Sequence, residues 1–517
     1  MRIATNVSAI VSNNALQKSQ DRLTKSIARL SSGYKINSSS DDAAGYAISE
    51  KMRLQLRGLN QADNNAADGV SVLHTAEGAM EEIQSMLARM KELSVQAANG
   101  TNSVDERSAI QSEIDSLNSE IDRISSNTEF NSQTLISGNL SRRVYSNYEG
   151  VNQIEVSDNF VAGNYGITIT QDARQAIVVG NGAVTMSDTA TVTKDQAGTI
   201  SMNGYGIEIS EGDTLAGIMG KLVDGADKIG GCVFAITAGA TNDTKVNGTD
   251  YAGYEPQTSY AGNNIVFMTK ESGSSKTMNI TCSNAELANM LGIATAATNG
   301  GMYAEGSDVQ AEFTLDNDGK RVGFADSAVI STSGTRVTVK DVNNRTFVTD
   351  VPSNVAGTQF SDTAKADDKS TATSTQTAKV TQEVTDVGTM SVHVDANENQ
   401  VILIDIPAVT SYTLGTENLN VMTSVTASEA IDTIDTAVAY ANRVRSQMGA
   451  YENRFEHTTN NLGTASENLT SAISTMTDTD MAEEMTEYTS LNVMTQAATS
   501  ILAQANERPS TVLQILQ

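Results

Sequence analysis

The sequence predicts an α+β multidomain protein: a discontinuous α-helical coiled-coil bundle built from both chain ends, with β-rich domain(s) inserted between them. Three observations predict it. Of 38 glycines and 4 prolines, residues 1–140 hold 7 and none, residues 420–517 hold 2 and one (Pro509), and residues 141–419 hold the other 29 and 3. Glycine and proline interrupt helices, so the ends read as helical and the middle as turn-rich. Apolar residues at both ends recur at heptad spacing, whereas those in the middle alternate with period two.

Taken in order, Leu16, Leu23, Ile27 and Leu30 form one stripe that stops at Gly33. Ser39 or Ser40 can cap the next helix, with Asp41 and Asp42 at its positive end. Ile83, Leu87 and Met90 repeat the spacing, and Ile110, Ile114, Leu117, Ile121 and Ile124 step by 4, 3, 4 and 3. Near the other end, Met448, Phe455, Leu462, Leu469 and Met476 fall seven apart, a repeat that implies a left-handed supercoil against a partner helix. The stripe continues through Met481, Met485, Tyr488, Met494, Ala498, Ile501 and Leu502.

A bundle made from both ends brings the termini together and leaves the middle as one long insertion. In it, Ile167 and Ile169, Ile207 and Ile209, Val337 and Val339, and Val392 and Val394 each flank a polar residue, as half-buried strands do. Cys232, Phe234 and Ile236 share a face of another strand, Val401 to Ile406 is more fully apolar, and Leu215, Ile218 and Leu222 mark one helix. Residues 361–386 are nearly without large apolar side chains and read as an exposed loop or a weak edge. The expected division is therefore 1–35, 36–140, 141–419, 420–479 and 480–517. The first and last segments carry few charges, and an isolated amphipathic helix of that length is marginal in water. They are expected to order on other copies of the chain, which makes them the polymerisation helices and the chain a partner of itself.

The net charge of 34 − 62 = −28 argues against nucleic acid or an anionic membrane as partner. No apolar run approaches the ~20 residues of a membrane helix, and the start MRIATNVSAIVSNNALQ lacks a cleaved secretory signal. His74, His393 and His457 are the only histidines and none stands four residues from another. There is no HExxH, GxSxG, P-loop or GxGxxG, so no catalytic residue, metal ligand set or cofactor is expected. Cys232 and Cys282 fit either a disulfide or two buried thiols.

LSSGYKINSSSDDAAGYAISEKM (30–52), GLNQADNNAADGVSVLHTAEGAMEEI (58–83) and MLARMKELSVQAANGT (86–101) resemble the N-terminal end of bacterial flagellins. NRFEHTTNNLGTASENL (453–469) and ILAQANERPSTVLQIL (501–516) resemble the family's C-terminal end. The segment from about Ile200 to Ile293 is similar to the small β-domain of flagellins and hook-associated proteins. The resemblance implies a structural subunit of the flagellar filament, exported unfolded through the flagellum and incorporated under a cap. The product would be extracellular. A hook–filament junction or cap protein is the alternative within the same organelle. Implied partners are an export chaperone at the C-terminal helix, the cap and hook-junction proteins, and the animal Toll-like receptor that senses flagellin monomers. The residues matching that contact surface are Arg89, Leu93 and Glu113, with Ala88 and Lys91 where the family has glutamine and arginine. In SAISTMT (471–477), Thr475 stands where the family has an arginine.

Overall fold

The computed structural model describes residues 6–515 except 158–159, 181, 188, 238–262, 294–300, 317, 343–344, 354, 356–358, 361–371, 375–376 and 386. The chain forms two compact units, one of residues 1–70, 392–402 and 453–517, the other of residues 71–391 and 403–452. Eight helices are present among the described residues: α1 (Val7–Ser32), α2 (Ala43–Ala98), α3 (Val104–Asn127), α4 (Leu215–Lys228), α5 (Ala285–Met290), α6 (Ser411–Leu414), α7 (Ser424–Thr477) and α8 (Met481–Ile515). None is long and apolar enough to cross a membrane. The α+β class expected from the sequence is the one observed.

Local chemistry sets the helix ends. Asn6 Oδ1 accepts from the Ala9 N–H at 3.2 Å and opens α1. Gly33 closes it with φ +77°, a left-handed conformation that a side chain would strain, as the sequence had suggested. The cap of α2 is neither Ser39 nor Ser40. Asp42 Oδ1 accepts from the N–H groups of Ala44 and Gly45 at 3.1 and 3.0 Å. Asp41 instead ties the preceding turn, accepting from the Ser38 N–H and hydroxyl, and that bonding holds its carboxyl below the usual range. Ser103 and Glu106 form a reciprocal capping box at α3, and Arg107 closes the end of α2 by donating to the Ala97 and Asn99 carbonyls.

In the first unit, Leu59 and Ala62 of α2 pack on Leu462 of α7, and Phe455 lies over Gly69. A Cβ at residue 69 would stand 3.0 Å from the Phe455 ring. In the second unit, Val72, Leu73, Ala76, Met80, Ile83, Leu87 and Met90 of α2 are buried, as are Ile110, Ile114 and Ile121 of α3 and Ile434, Val444 and Met448 of α7. Of the expected heptads, Leu117, Ile124, Leu469 and Met476 are half-buried.

The insertion in the second unit holds two nested β modules. The outer frame is a pair of four-stranded antiparallel sheets. One runs Gln310–Phe313, Gly163–Gln171, Ala378–Val384 and Val144–Ser146; the other Val329–Ser333, Arg336–Lys340, Thr346–Asp350 and Asn152–Val156. They share a core in which Phe160, Tyr165, Phe324 and Phe347 meet largely edge to face. The second module interrupts the first. Its sheets are Gln175–Val179, Asn263–Ser272 and Gly231–Thr237, and Met302–Glu305, Thr277–Cys282, Gly198–Met202 and Tyr205–Ile209. They enclose a separate core with α4 and α5. The chain passes between modules at Arg174 and Ser307, which exchange backbone hydrogen bonds of 2.8 and 3.0 Å.

One sequence expectation is overturned here. Residues 378–384, read as part of an exposed loop or a weak edge, form an inner strand whose Ala378, Val380, Gln382 and Val384 are buried. Small and polar residues hide its alternation. Residues 361–371 of that stretch lie outside the described residues.

Candidate assembly surface

α1 and α8 pair antiparallel within the first unit. Asn6 Nδ2 donates to the Ala505 carbonyl at 2.8 Å, Arg22 reaches Glu487 at 3.2 Å, and Arg29 reaches Glu484 at 3.6 Å. At the base, the Lys35 N–H donates to the Thr477 carbonyl and the Thr479 N–H to Gly33. The seam is narrow. Glu484, Leu491 and Ala505 are the buried residues of α8 among those whose side chains are described, and Ser26 is that of α1.

That seam is not the stripe expected from the sequence. Met481, Met485, Met494 and Ile501 face outward, as does Ile27 of α1; Tyr488, Ala498 and Leu502 are half-buried. α8 carries apolar residues on more than one face, so periodicity could not tell which face one partner helix would cover. Val7, Ile10, Val11 and Val493 are also exposed. Sequence reasoning missed these four as surface residues, although the charge-free runs 3–17 and 488–506 were a signal for them.

The residues matched by resemblance divide. Arg89 and Glu113 come together across α2 and α3, with Nη2 2.9 Å from Oε1, and Arg89 also holds Glu92 at 3.1 Å. These carboxylates push the guanidinium further up from its ordinary value, Glu113 foremost. Leu93, matched to the contact surface by resemblance, is 2 % exposed and so lies beneath that surface. It follows Met90 by three and Leu87 by six positions, which turns it into the core. Lys91 pairs with Asp435 of α7, and Thr475 donates to the Ser471 carbonyl of its own helix.

Cys232 and Cys282 are free thiols in different sheets of the second module, and burial pushes both up. Of the two readings left open by the sequence, the structure has the thiols. His393 and His457 are exposed, and His74 stands 3.6 Å from Glu452.

The family model for the bacterial flagellin N-terminal helical region matches residues 3–141, and that for the C-terminal helical region matches residues 431–516. Over 509 residues the chain is 30 % identical to a flagellin of Clostridium tyrobutyricum, covering 96 % of this chain and 98 % of that one. The chain belongs to the bacterial flagellin family. It is also 30 % identical to a flagellin of Salmonella typhimurium, over 100 % of this chain and 99 % of that one. A solved structure, FliC from Burkholderia pseudomallei, aligns with 75 % of this chain and 99 % of its own at 14 % identity and a TM-score of 0.22. Flagellins are structural subunits that polymerise into the extracellular flagellar filament, and this flagellin is such a subunit.

Proposed function

We propose that this flagellin assembles through the outward faces of the α1–α8 pair. The observation that carries the reading is one-sided burial: the pair covers one face of each helix and leaves Val7, Ile10, Val11, Val493, Met494 and Ile501 in water. Large apolar side chains clustered on two paired helices are a surface for further copies. On this reading residues 1–35 and 480–517 are the polymerisation segments. Residues 36–140 and 420–479 are the two halves of the helical core, and 141–419 the variable insertion.

The finer steps follow from the same surface. A chain exported unfolded keeps these side chains apart until it reaches the tip, and an export chaperone on α8 covers them beforehand. Cap and hook-junction proteins meet the filament at its ends. The Arg89–Glu113 face of α2 and α3 contacts a neighbouring subunit and, in the monomer, the animal flagellin-sensing Toll-like receptor. Leu93 supports that face from beneath.

Truncation tests the reading. Removing the last ~30 residues leaves the second unit folded but stops polymerisation, because it takes away the outward Val493, Met494 and Ile501 together with most of the α1 partner. Normal filaments from the truncated chain, seen by electron microscopy, would overturn it.

A further inference from the structure

We infer that His74, Glu77 and Glu452 form a binding site for a borderline divalent cation such as Zn2+, bridging α2 and α7 in the second unit. The three residues offer one imidazole nitrogen and two carboxylate oxygens, all within 4.8 Å of one another. His74 and Glu77 stand three apart on α2 and so project from one helix face. Glu452 meets them from α7, which runs antiparallel to α2 here: Lys91 pairs with Asp435, Glu77 with Arg445 and His74 with Glu452.

The spacing suits a metal. Zinc holds imidazole nitrogen and carboxylate oxygen at about 2.0–2.2 Å, so two ligands at a tetrahedral angle stand about 3.4 Å apart. His74 Nε2 and Glu452 Oε1 are 3.6 Å apart, which leaves an ion room between them with little side-chain movement. A neutral imidazole with two carboxylates supplies two negative charges, matching the cation. Nitrogen with oxygen donors favours zinc, nickel or cobalt over magnesium and calcium, which prefer oxygen alone. Arg445 lies 3.2 Å from Glu77 Oε1 and also donates to Gln84 Oε1. It holds the Glu77 carboxylate in place through one oxygen and keeps a partner when the other turns to the ion. Three protein ligands leave a coordination position for water.

Bound metal would add a staple to two long helices whose surface contacts at this level are the partly exposed pairs His74–Glu452 and Glu77–Arg445. A ligand that binds only the folded form raises its stability by mass action. The inference is independent of filament assembly, since the whole site lies in one copy.

The test is calorimetric titration of the full chain in solution with ZnCl2, alongside His74→Gln, Glu452→Gln and the control His457→Gln. The wild type and the control are expected to bind one zinc per chain and to melt at a higher temperature with zinc but not with magnesium. His74→Gln and Glu452→Gln are expected to lose both effects. Circular dichroism without metal checks that each variant folds. Equal isotherms in all four proteins, no binding in the wild type, or equal loss in the His457 control would overturn the site.

Discussion

Replacing Met494 and Ile501 together by alanine separates assembly from folding. The two lie seven residues apart on one flank of α8 and are 44 and 56 % exposed in the free chain. Fully burying a Met or Ile side chain is worth about 1.5–3 kcal/mol, so covering what remains exposed of both contributes about 2 kcal/mol to one subunit contact. A tenfold change in an association constant corresponds to about 1.4 kcal/mol, so the critical concentration should rise about thirtyfold. Alanine is the best helix former, so α8 should hold at least as well as before. Seeded polymerisation followed by sedimentation gives the critical concentration, and circular dichroism gives monomer melting. An unchanged critical concentration would show that this flank is not an interface. A lowered melting temperature would show that the flank supports the chain's own fold instead.

Three further outcomes follow from buried or paired groups. Phe455→Ala should cost about 3–5 kcal/mol in urea unfolding, since the ring is fully buried over Gly69, while Met476→Ala at the half-buried end of the same repeat should cost much less. Arg89→Ala should shift the melting temperature little, because its pairs with Glu113 and Glu92 are solvent-exposed and screened; a drop of several degrees would place the pair in the core's support. Burial raises the Glu155 carboxyl above its ordinary value of 4.5, against the opposing pull of Arg443 and Lys340. A folded form that holds this proton more tightly than the unfolded form loses stability as pH rises through the folded value. Glu155→Gln should therefore gain on the wild type in urea midpoints as pH rises above 4.5, and a constant gap would count against the assignment.

The helical ends were legible because heptads and missing glycine are local signals. Their limits were local too. In α3 the expected core positions Leu117 and Ile124 are only half-buried, while Asn118 and Ser125 turn inward. Asn118 donates to the Thr416 carbonyl at 2.7 Å and Ser125 to that of Ile136 at 3.0 Å, so connecting loops reach the bundle through polar inward positions. Apolar periodicity cannot register a buried residue chosen for its hydrogen bond. The β modules show a different limit. Ile167 and Ile169 announced a strand, but its neighbours are Gln310–Phe313 and Ala378–Val384, far along the chain. Nesting depends on pairings across that distance, and no local pattern encodes them. Arg89 and Glu113 came through residue matching, whereas the cluster at Glu452 required the register of α2 against α7.

The same reasoning explains why α8 misled as a single stripe. A helix meant for one partner needs one apolar face, and a strict repeat then identifies the seam. α8 has a buried seam through Glu484, Leu491 and Ala505, with Met494 and Ile501 on one exposed flank and Met481 and Met485 exposed elsewhere around it. One partner helix cannot cover that much apolar surface. An open helical polymer joins copies through unlike surfaces, because a self-complementary patch would close into a dimer. Distinct exposed faces on α1 and α8 meet that requirement: the outward residues of one copy's α1 and α8 need not match themselves, only each other. On the proposed reading, such faces stay uncovered until a neighbouring subunit supplies the complement.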